Sequence, residues 1–228
     1  MKKTLFAVTV LFSLMVSGAA NAVEKSSIYL FLPGILHSHT PPIGFRFTKL
    51  GTNGNPLTNQ AADYINTPWA CVKDNVTGLI WEVKTNDGGL HEQNDKYFWY
   101  NTNPADNGGE IGYPDSGNSC VGYVAGRPST YCNTQEYTAR VNAAGWCGAS
   151  DWRMPTAKEL VGIVSSDRVN PAIDIGYFPN TPSSPFWSRS PYVISYADGA
   201  WFVDFRNGDL GSNFSFESYQ VRLVRGGQ

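Results

Sequence analysis

The sequence predicts an α+β fold that combines two short helices with a mostly antiparallel sheet and long loops. Two helical patterns lie between an early strand pattern and a late group of strand patterns, an order typical of α+β proteins. The composition agrees, because 7 Trp, 12 Tyr, 12 Phe and 23 Gly accompany 16% charged residues. A chain of this composition builds its core from aromatic side chains on short strands. Its length is sufficient for one domain with a sizeable core.

Residues 1–22 have the pattern of a secretory signal peptide. Lys2 and Lys3 supply the positive charge, a short apolar run follows, and Ala20-Asn21-Ala22 supplies the small-residue cleavage pattern. Cleavage after Ala22 predicts a protein that is periplasmic, secreted or displayed at the cell surface. The apolar run is shorter than the roughly 20 residues that a spanning helix needs, so no membrane insertion is expected.

The charge balance of the mature chain argues against nucleic acid as a partner. The full chain has 17 basic residues, and removal of Lys2 and Lys3 leaves 17 − 2 = 15 against 19 acidic residues. The resulting net charge of −4 lacks the strongly basic footprint of a nucleic-acid-binding protein. No basic amphipathic pattern indicates a membrane-surface role either.

The first half of the chain predicts strands separated by turns and one long loop. Residues 23–44 contain three prolines and are predicted to be an N-terminal arm before a domain at 45–228. The alternating stretch 45–50 predicts the first strand, and a turn at 74–78 leads into a strand at 79–83.

The segment 86–132 is predicted to be a long loop, because Gly, Asn, Asp, Pro and Ser dominate it. Loops of this length inside a compact domain are uncommon and are usually functional or poorly ordered. The aromatic block Tyr97-Phe98-Trp99-Tyr100 interrupts the loop. We expect this block to fix the loop to the body of the domain.

Two helices and a late group of strands follow this loop. The first helix is predicted at 134–145, with Asn133 as a cap-like start and Gly145 as its stop. The second helix is predicted to begin at the capping box formed by Thr156 and Glu159.

The region after Ser184 predicts antiparallel strands. Residues 201–206 alternate, Asn207-Gly208 is a strong hairpin signal, and 219–225 predicts the last strand.

The four cysteines, at positions 71, 120, 132 and 147, predict two disulfide bonds in an exported chain. A bond between Cys132 and Cys147 is excluded, because the first helix would hold these residues roughly 20 Å apart. The Cα atoms of a disulfide must lie within about 7 Å of each other. We favour Cys71–Cys147 with Cys120–Cys132, and the alternative is Cys71–Cys132 with Cys120–Cys147. No Cys-x-x-Cys pair and no nearby His supports a zinc site, so no metal site is predicted.

Several motifs of the mature chain resemble one bacterial family. They are the turn and strand at 71–82, Trp146-Cys147-Gly148, Asp151-Trp152-Arg153-Met154-Pro155-Thr156, Phe186-Trp187-Ser188 and the closing run 221–228. Together they resemble the Lcl C-terminal domain family, the globular end of Legionella collagen-like adhesins, over residues 45–228. The resemblance implies a variant of the C-type lectin-like fold and a role in adhesion, and it implies no reaction. Unlike its collagen-like relatives, which engage sulfated polysaccharides, this chain lacks the collagen repeat and its multivalency.

Candidate catalytic residues have structural interpretations. Glu82 is interpreted as structural, because a glycosidase needs a second carboxyl about 5 or 6.5–9.5 Å away and no sequence signal supplies one.

Arg153 is interpreted as part of a packing junction in which a carboxylate and backbone oxygens accept its hydrogen bonds. The alternative makes Asp151 and Arg153 a ligand-facing pair. No nucleophile-elbow or zinc-protease motif occurs, so no enzymatic activity is predicted.

A ligand-binding face is predicted between Thr181 and Phe216. Its candidate residues are Trp187, Arg189, Tyr192, Tyr196, Arg206 and Asn213. Aromatic rings stack on the C–H faces of sugars, while Asn and Arg hydrogen-bond hydroxyl or sulfate groups. The alternative makes Trp187 a core residue, and Trp201 is also interpreted as core. Loop oxygens near Asp198 and Asp209 suit calcium, but turn formation explains them with fewer assumptions, so no cofactor is predicted.

The leading functional hypothesis is an exported, non-enzymatic module that binds a glycan or another cell-surface ligand. The alternative is a periplasmic or surface assembly protein that binds a protein partner. A polar, aromatic-lined concavity would favour the first hypothesis. An exposed apolar patch of more than a few hundred Å² would favour the second.

Overall fold

The protein is described by a computed structural model, which covers residues 46–194 and 197–226. The predicted signal peptide and N-terminal arm, as well as Tyr196, lie outside the described residues. The described chain contains two helices and two antiparallel sheets, which confirms the predicted α+β class. The lectin-like variant that the family resemblance implies stays a prediction.

Seven short strands and two α-helices make up the described chain. The strands are β1 (Phe47–Leu50), β2 (Cys71–Asp74), β3 (Ile80–Glu82), β4 (Pro185–Ile194), β5 (Ala197–Asp204), β6 (Asp209–Phe214) and β7 (Val224–Arg225). The helices are α1 (Thr134–Ala144) and α2 (Ala157–Val161), with 3₁₀ turns at Pro128–Thr130 and Trp146–Gly148.

The first sheet has the order β1-β2-β3-β7, with antiparallel neighbours throughout. The predicted turn between β2 and β3 forms, and Gly78 adopts a φ of 76° that favours glycine there. The last strand is shorter than the predicted span 219–225. Tyr219 bridges instead to Tyr97, and Gln220 bridges to Phe186 of β4. The segment therefore changes partners along its length, and a two-residue ladder with β3 remains.

The second sheet has the order β4-β5-β6, and its β5–β6 hairpin lies where the Asn207-Gly208 signal places it. Asp204 pairs with Asp209 across the turn. Gly208 has a φ of 86°, and a Cβ there would lie 2.6 Å from Cγ1 of Val164. The turn therefore needs glycine both for its backbone conformation and for its close approach to the residues that follow α2.

Both helices begin at the predicted caps. The Asn133 side chain accepts a hydrogen bond from the backbone N–H of Glu136 at the start of α1, and Gly145 ends that helix in the left-handed region. At α2, the Thr156 hydroxyl accepts from the backbone N–H of Glu159, and the Glu159 carboxylate accepts from the backbone N–H of Thr156. These reciprocal bonds form the capping box that the sequence predicts.

We expect Thr156→Ala to lower the free energy of unfolding by about 1 kcal/mol, because an N-cap hydroxyl satisfies a donor that α2 leaves open. Urea unfolding of the purified protein measures this change. Thr156→Ser is the matched control, since it keeps the hydroxyl and removes only the methyl group. Equal losses in the two variants would contradict a capping role.

The structure contains the favoured disulfide pairing. Cys71 and Cys147 are joined with their Cα atoms 6.6 Å apart, and Cys120 and Cys132 with theirs 5.5 Å apart. The first bond ties β2 to the turn after α1, and the second closes the end of the long loop. No cysteine of the chain remains free.

The aromatic block fixes the long loop to the domain, as predicted. Tyr97 and Trp99 are buried in the core. The backbone N–H of Tyr97 donates to the carbonyl of Tyr219, and the indole N–H of Trp99 donates to the carbonyl of Ser188. The first half of the loop is thereby anchored to β4 and to the chain that precedes β7.

Candidate functional site

Trp187 is a core residue, which corrects its inclusion among the predicted ligand contacts. Its side chain is fully buried, and its indole N–H donates to the carbonyl of Tyr97 at 2.9 Å. The ring also packs against Tyr219, with ring centroids 4.5 Å apart. The residue lies on the inner face of β4, so no sugar ring reaches it.

Arg189 and Tyr192 are both accessible on β4, but they contact different neighbours. The Arg189 side chain is 40% exposed and lies 3.7 Å from the Asp106 carboxylate. Tyr192 is half-buried and packs edge-on against Trp201, with ring centroids 5.0 Å apart. The interpretation of Trp201 as a core residue is wrong, because this side chain is half-buried and lines a surface depression beside α2 and Leu210.

The other predicted residues do not join Arg189. Arg206 lies in the β5–β6 turn with a 63% exposed side chain, 3.5 Å from Asp204. The Asn213 amide donates to the Tyr219 hydroxyl at 2.6 Å. Tyr196 falls outside the described residues. Among the predicted ligand contacts that the structure describes, Arg189 lines the groove described next, and Trp187, Tyr192, Arg206 and Asn213 do not.

The groove beside Arg189, here called the first groove, has a volume of about 350 Å³. It lies between the start of the long loop, α1 and the Asp-Trp-Arg motif. Its polar and aromatic lining includes Tyr100, Asp106, Gln135, Asn142, Arg153 and Arg189. This volume lies within the range of small-molecule sites in proteins.

The walls of the first groove are held by hydrogen bonds. The Thr134 hydroxyl donates to the Tyr100 carbonyl at 2.8 Å and accepts from the Tyr100 N–H at 3.0 Å. The Asn142 amide donates to the Trp152 carbonyl and accepts from the Trp152 N–H. These side chains are preorganised and already satisfied, so they shape the groove without supplying open hydrogen-bonding groups.

Arg153 forms the packing junction that the sequence analysis favours. Its guanidinium donates two bonds to the Glu159 carboxylate, at 2.9 and 2.7 Å, and a third to the carbonyl of Gly226. Burial alone would raise the pKa of Glu159, but the bonds from Arg153 and Thr156 outweigh it and lower that pKa. Asp151 pairs separately with Arg225 at 2.7 Å. Asp151 and Arg153 are therefore committed to structural partners.

Three side chains of the first groove keep hydrogen-bonding groups that are exposed or unbonded: Arg189, Asp106 and Gln135. The Arg189–Asp106 pair is long at 3.7 Å and partly exposed. The other oxygen of Asp106 accepts from the Asn101 amide at 2.9 Å, which orients the carboxylate. Gln135 uses its amide oxygen for the N–H and hydroxyl of Thr102. Within the described residues, its amide nitrogen has no bonded partner. A guanidinium, a carboxylate and an amide donor together suit a polar ligand that carries hydroxyl or acidic groups.

A second groove of about 470 Å³ lies on another part of the surface and shares no lining residue with the first. No local pattern in the sequence predicts it, because its lining comes from five separate segments. Its principal side chains are Tyr64, Trp69, Asn86, Asp87, Trp146 and Asn180.

A buried polar cluster, centred on Glu82, was also missed by the sequence analysis. The carboxylate of Glu82 is fully buried, and its Oε1 accepts from the ammonium of Lys84 at 3.0 Å and lies 2.9 Å from Nδ1 of His91. The Tyr137 hydroxyl also donates to Oε1, and the backbone N–H of Leu223 donates to Oε2 at 2.8 Å. Both oxygens are engaged away from solvent, so the structural interpretation of Glu82 is the one that the geometry supports.

Arg222 adds a second buried cation to this cluster. Its guanidinium donates to the backbone carbonyl of Glu82 and to the Thr181 hydroxyl, both at 2.7 Å. It also packs over the rings of Phe178 and Phe186. Burial lowers the pKa of Arg222 to about 10, while the Glu82 charge opposes that shift.

The ionisation of Glu82 is set by its partners. Burial alone would raise the pKa of Glu82, but the Lys84 charge and the contacts with His91 and Tyr137 outweigh it and hold that pKa well below its ordinary value. Burial likewise lowers the pKa of Lys84, against the attraction of Glu82. The core thus contains a buried carboxylate that is ion-paired with Lys84, and Arg222 is bonded to the backbone carbonyl of the same residue.

Neither a metal centre nor a membrane-spanning helix is found in the described part of the chain. No group of three or more His, Cys, Asp or Glu residues there has a metal-binding arrangement. Near the loop considered for calcium, Asn207 and Asp209 are bonded to each other within the β5–β6 turn. Among residues 46–194 and 197–226, neither helix has the length and apolarity needed to cross a membrane.

Comparison with known proteins gives one match. The model of a family described as the Lcl C-terminal domain matches residues 70–225. This span covers both helices, both disulfide bonds, the first groove and the buried polar cluster. Comparison with curated proteins and with solved structures gives no significant match.

Proposed function

The chain belongs to the Lcl C-terminal domain family, and on that premise we propose that it is an exported, non-enzymatic module that binds a glycan at a cell surface. Membership in this family and two disulfide bonds support an adhesin-like, extracellular role. The predicted signal peptide agrees with export.

The first groove is the observation that carries this proposal. It combines an accessible guanidinium, an accessible carboxylate and an amide donor on walls that are already hydrogen-bonded. Preorganised walls lower the entropic cost of binding a polar ligand. In this proposal Arg189 binds a carboxylate, sulfate or hydroxyl group of the glycan, while Asp106 accepts from a neighbouring hydroxyl.

Arg189→Ala is expected to weaken glycan binding about tenfold or more, because a hydrogen bond to a charged group contributes about 1.5–3 kcal/mol. The melting temperature of the oxidised protein, measured with increasing concentrations of neutral, carboxylated and sulfated glycans, reports binding by mass action. We expect at least one class to raise the melting temperature of the wild type, and to raise that of Arg189→Ala much less.

Arg168→Ala is the matched control for this experiment. Arg168 also lies 3.7 Å from an aspartate, Asp174, with similar exposure, but it does not line the first groove. The proposal holds if this variant responds to the glycan as the wild type does. The proposal would be contradicted if glycan changed the melting temperatures of the two arginine variants equally, or if no glycan changed that of the wild type.

A protein partner is the second candidate function, and one surface feature favours it. Phe214 and Phe216 stack on each other with ring centroids 5.2 Å apart, and Tyr113 packs edge-on against Phe216. These three aromatic side chains are between 43% and 48% exposed. Exposed aromatic clusters of this kind are typical of protein interfaces. This function would be favoured if the wild type captured an envelope protein, Phe216→Ser abolished that capture, and no glycan changed the melting temperature.

A further inference from the structure

The second groove has two accessible aromatic side chains whose positions are fixed by other residues. Trp146 and Tyr64 are half-buried and both line the groove. The ring of His91 stacks on the Trp146 indole at a centroid distance of 3.8 Å, and Tyr64 meets Trp69 edge-on at 4.9 Å. Trp69 is in turn held by a bond from its indole N–H to the carbonyl of Tyr177. These rings need little ordering when a ligand arrives, which lowers the cost of binding.

Trp146 is also held by the backbone around it. The next residue, Cys147, has a φ of 51° and is bonded to Cys71 of β2. Gly54 lies against this turn so closely that a Cβ there would be 2.4 Å from the carbonyl oxygen of Cys147. The disulfide bond and the close packing of the 51–56 turn therefore fix the position of the indole.

Short polar side chains from two segments also line the second groove. The Asp87 carboxylate accepts from the Thr85 hydroxyl and the Gly89 N–H, both at 2.8 Å, which orients it. Asn180 donates to the Lys84 carbonyl at 3.1 Å, which orients its side chain. The exposed Asn86 amide has no hydrogen-bond partner among the described residues. Amide and carboxylate groups beside aromatic rings match a ligand with hydroxyl groups on one side and C–H groups on the other.

The charge of the second groove selects against acidic ligands. Its lining contains no Lys, Arg or His side chain, whereas the first groove contains Arg189. Bonds from Thr85 and Gly89 lower the pKa of Asp87, so this carboxylate is ionised at neutral pH. A sulfate or carboxylate in the ligand would therefore meet a negative charge with no cation in the lining to offset it.

We propose that the second groove binds a neutral mono- or disaccharide, with a sugar ring against the Trp146 indole and its hydroxyls bonded to Asn86 and Asp87. The groove volume of about 470 Å³ is large enough for a ligand of this size. This inference does not rest on the function proposed for the first groove, because the two grooves have no lining residue in common.

Calorimetric titration of the oxidised protein with cellobiose, lactose, maltose and N,N′-diacetylchitobiose tests this proposal. We expect saturable binding of at least one of these disaccharides, with an affinity that changes little with salt because the ligand is uncharged. Asn86→Ala is expected to weaken that affinity about tenfold, since it removes a proposed hydrogen bond to the ligand, and Tyr64→Ala is expected to weaken it because it removes an aromatic wall of the groove. Asn86 is exposed and makes no bond within the described chain, so its replacement leaves folding intact.

Two controls separate this site from the first groove and from surface effects. Asn118→Ala, at another exposed Asn that lines neither groove, should bind as the wild type does. Arg189→Ala should also leave the affinity for neutral disaccharides unchanged. The inference is overturned if none of the four sugars binds at millimolar concentration, or if Asn86→Ala and Tyr64→Ala bind like the wild type. Loss of disaccharide binding in Arg189→Ala alone would overturn it too, while supporting the function proposed for the first groove.

Discussion

Glu82→Gln is expected to lower the free energy of unfolding by about 3–5 kcal/mol, the largest effect of any single substitution considered for this protein. The substitution keeps the shape of the side chain but removes the charge that faces Lys84 at 3.0 Å. Lys84 and Arg222 would then remain as buried cations without this counterion. Removal of one partner from a buried ion pair is costly, because the other charge cannot regain its hydration. Urea unfolding at neutral pH measures the loss.

The double variant Glu82→Gln with Lys84→Met tests the assigned cause. Met has a shape close to the alkyl part of Lys and carries no charge, so the double variant should be more stable than Glu82→Gln alone. Glu92→Gln is the matched single control, because Glu92 is also buried but accepts its bonds from backbone N–H groups and the Asn94 amide. A loss below about 1 kcal/mol in Glu82→Gln, or no recovery in the double variant, would contradict a stabilising ion pair.

The acid limb of the stability curve provides a second readout of the same cluster. The pKa of Glu82 is lower in the folded protein than its ordinary value of about 4.3, which the unfolded chain retains. The contribution of ionised Glu82 to the free energy of unfolding is therefore complete above about pH 4.3. It is lost as the pH falls toward the pKa of Glu82 in the folded protein. The difference in stability between the wild type and Glu82→Gln should shrink on acidification. A constant difference down to the acid-unfolding limit would exclude this linkage.

Removal of the Cys71–Cys147 bond, in the variant Cys71→Ala with Cys147→Ala, is expected to cost about 4 kcal/mol. The two residues are separated by 76 positions, so the bond restricts a large loop of the unfolded chain. It also holds β2 against the turn that carries Trp146. Guanidinium unfolding under non-reducing conditions measures the change in free energy.

The second disulfide bond is the natural comparison. Cys120 and Cys132 are separated by 12 positions, so their replacement by alanine should cost about 3 kcal/mol, less than removal of the first bond. Loss of the first bond should also weaken any ligand binding in the second groove, while loss of the second bond should not. Equal stability of the Cys71/Cys147 variant and the wild type would mean that this bond does not restrict the unfolded chain in the way described.

Local sequence signals were sufficient for the helices and turns. The caps at Asn133 and Thr156 and the hairpin at Asn207-Gly208 depend on hydrogen bonds and backbone conformations within a few residues, and all three formed as predicted. The disulfide pairing was narrowed but not settled, because a predicted helix between two cysteines set a distance that excluded one connectivity and left two. The class of the fold followed from the order of these local elements.

The exposure of individual strand side chains could not be predicted from the sequence alone. Trp187 and Trp201 both occur in strands, yet the first is fully buried and the second half-buried. Alternation assigns side chains to two faces of a strand, but it does not say which face the rest of the chain covers. The interpretation of Trp201 as a core residue was therefore wrong. For Trp187, the structure supports the core alternative and not the predicted ligand contact.

The sequence by itself determined the α+β class, the helix starts and the hairpin, because these depend on interactions between near neighbours. A simple distance limit excluded one of the three disulfide connectivities, and the structure decided between the other two. Only the tertiary structure decided which charges are buried and where the grooves lie. Glu82 meets Arg222 across 140 positions, and the second groove joins Tyr64 to Asn180. Such contacts arise from the packing of segments that are distant in the sequence, so no periodicity of the sequence predicts them.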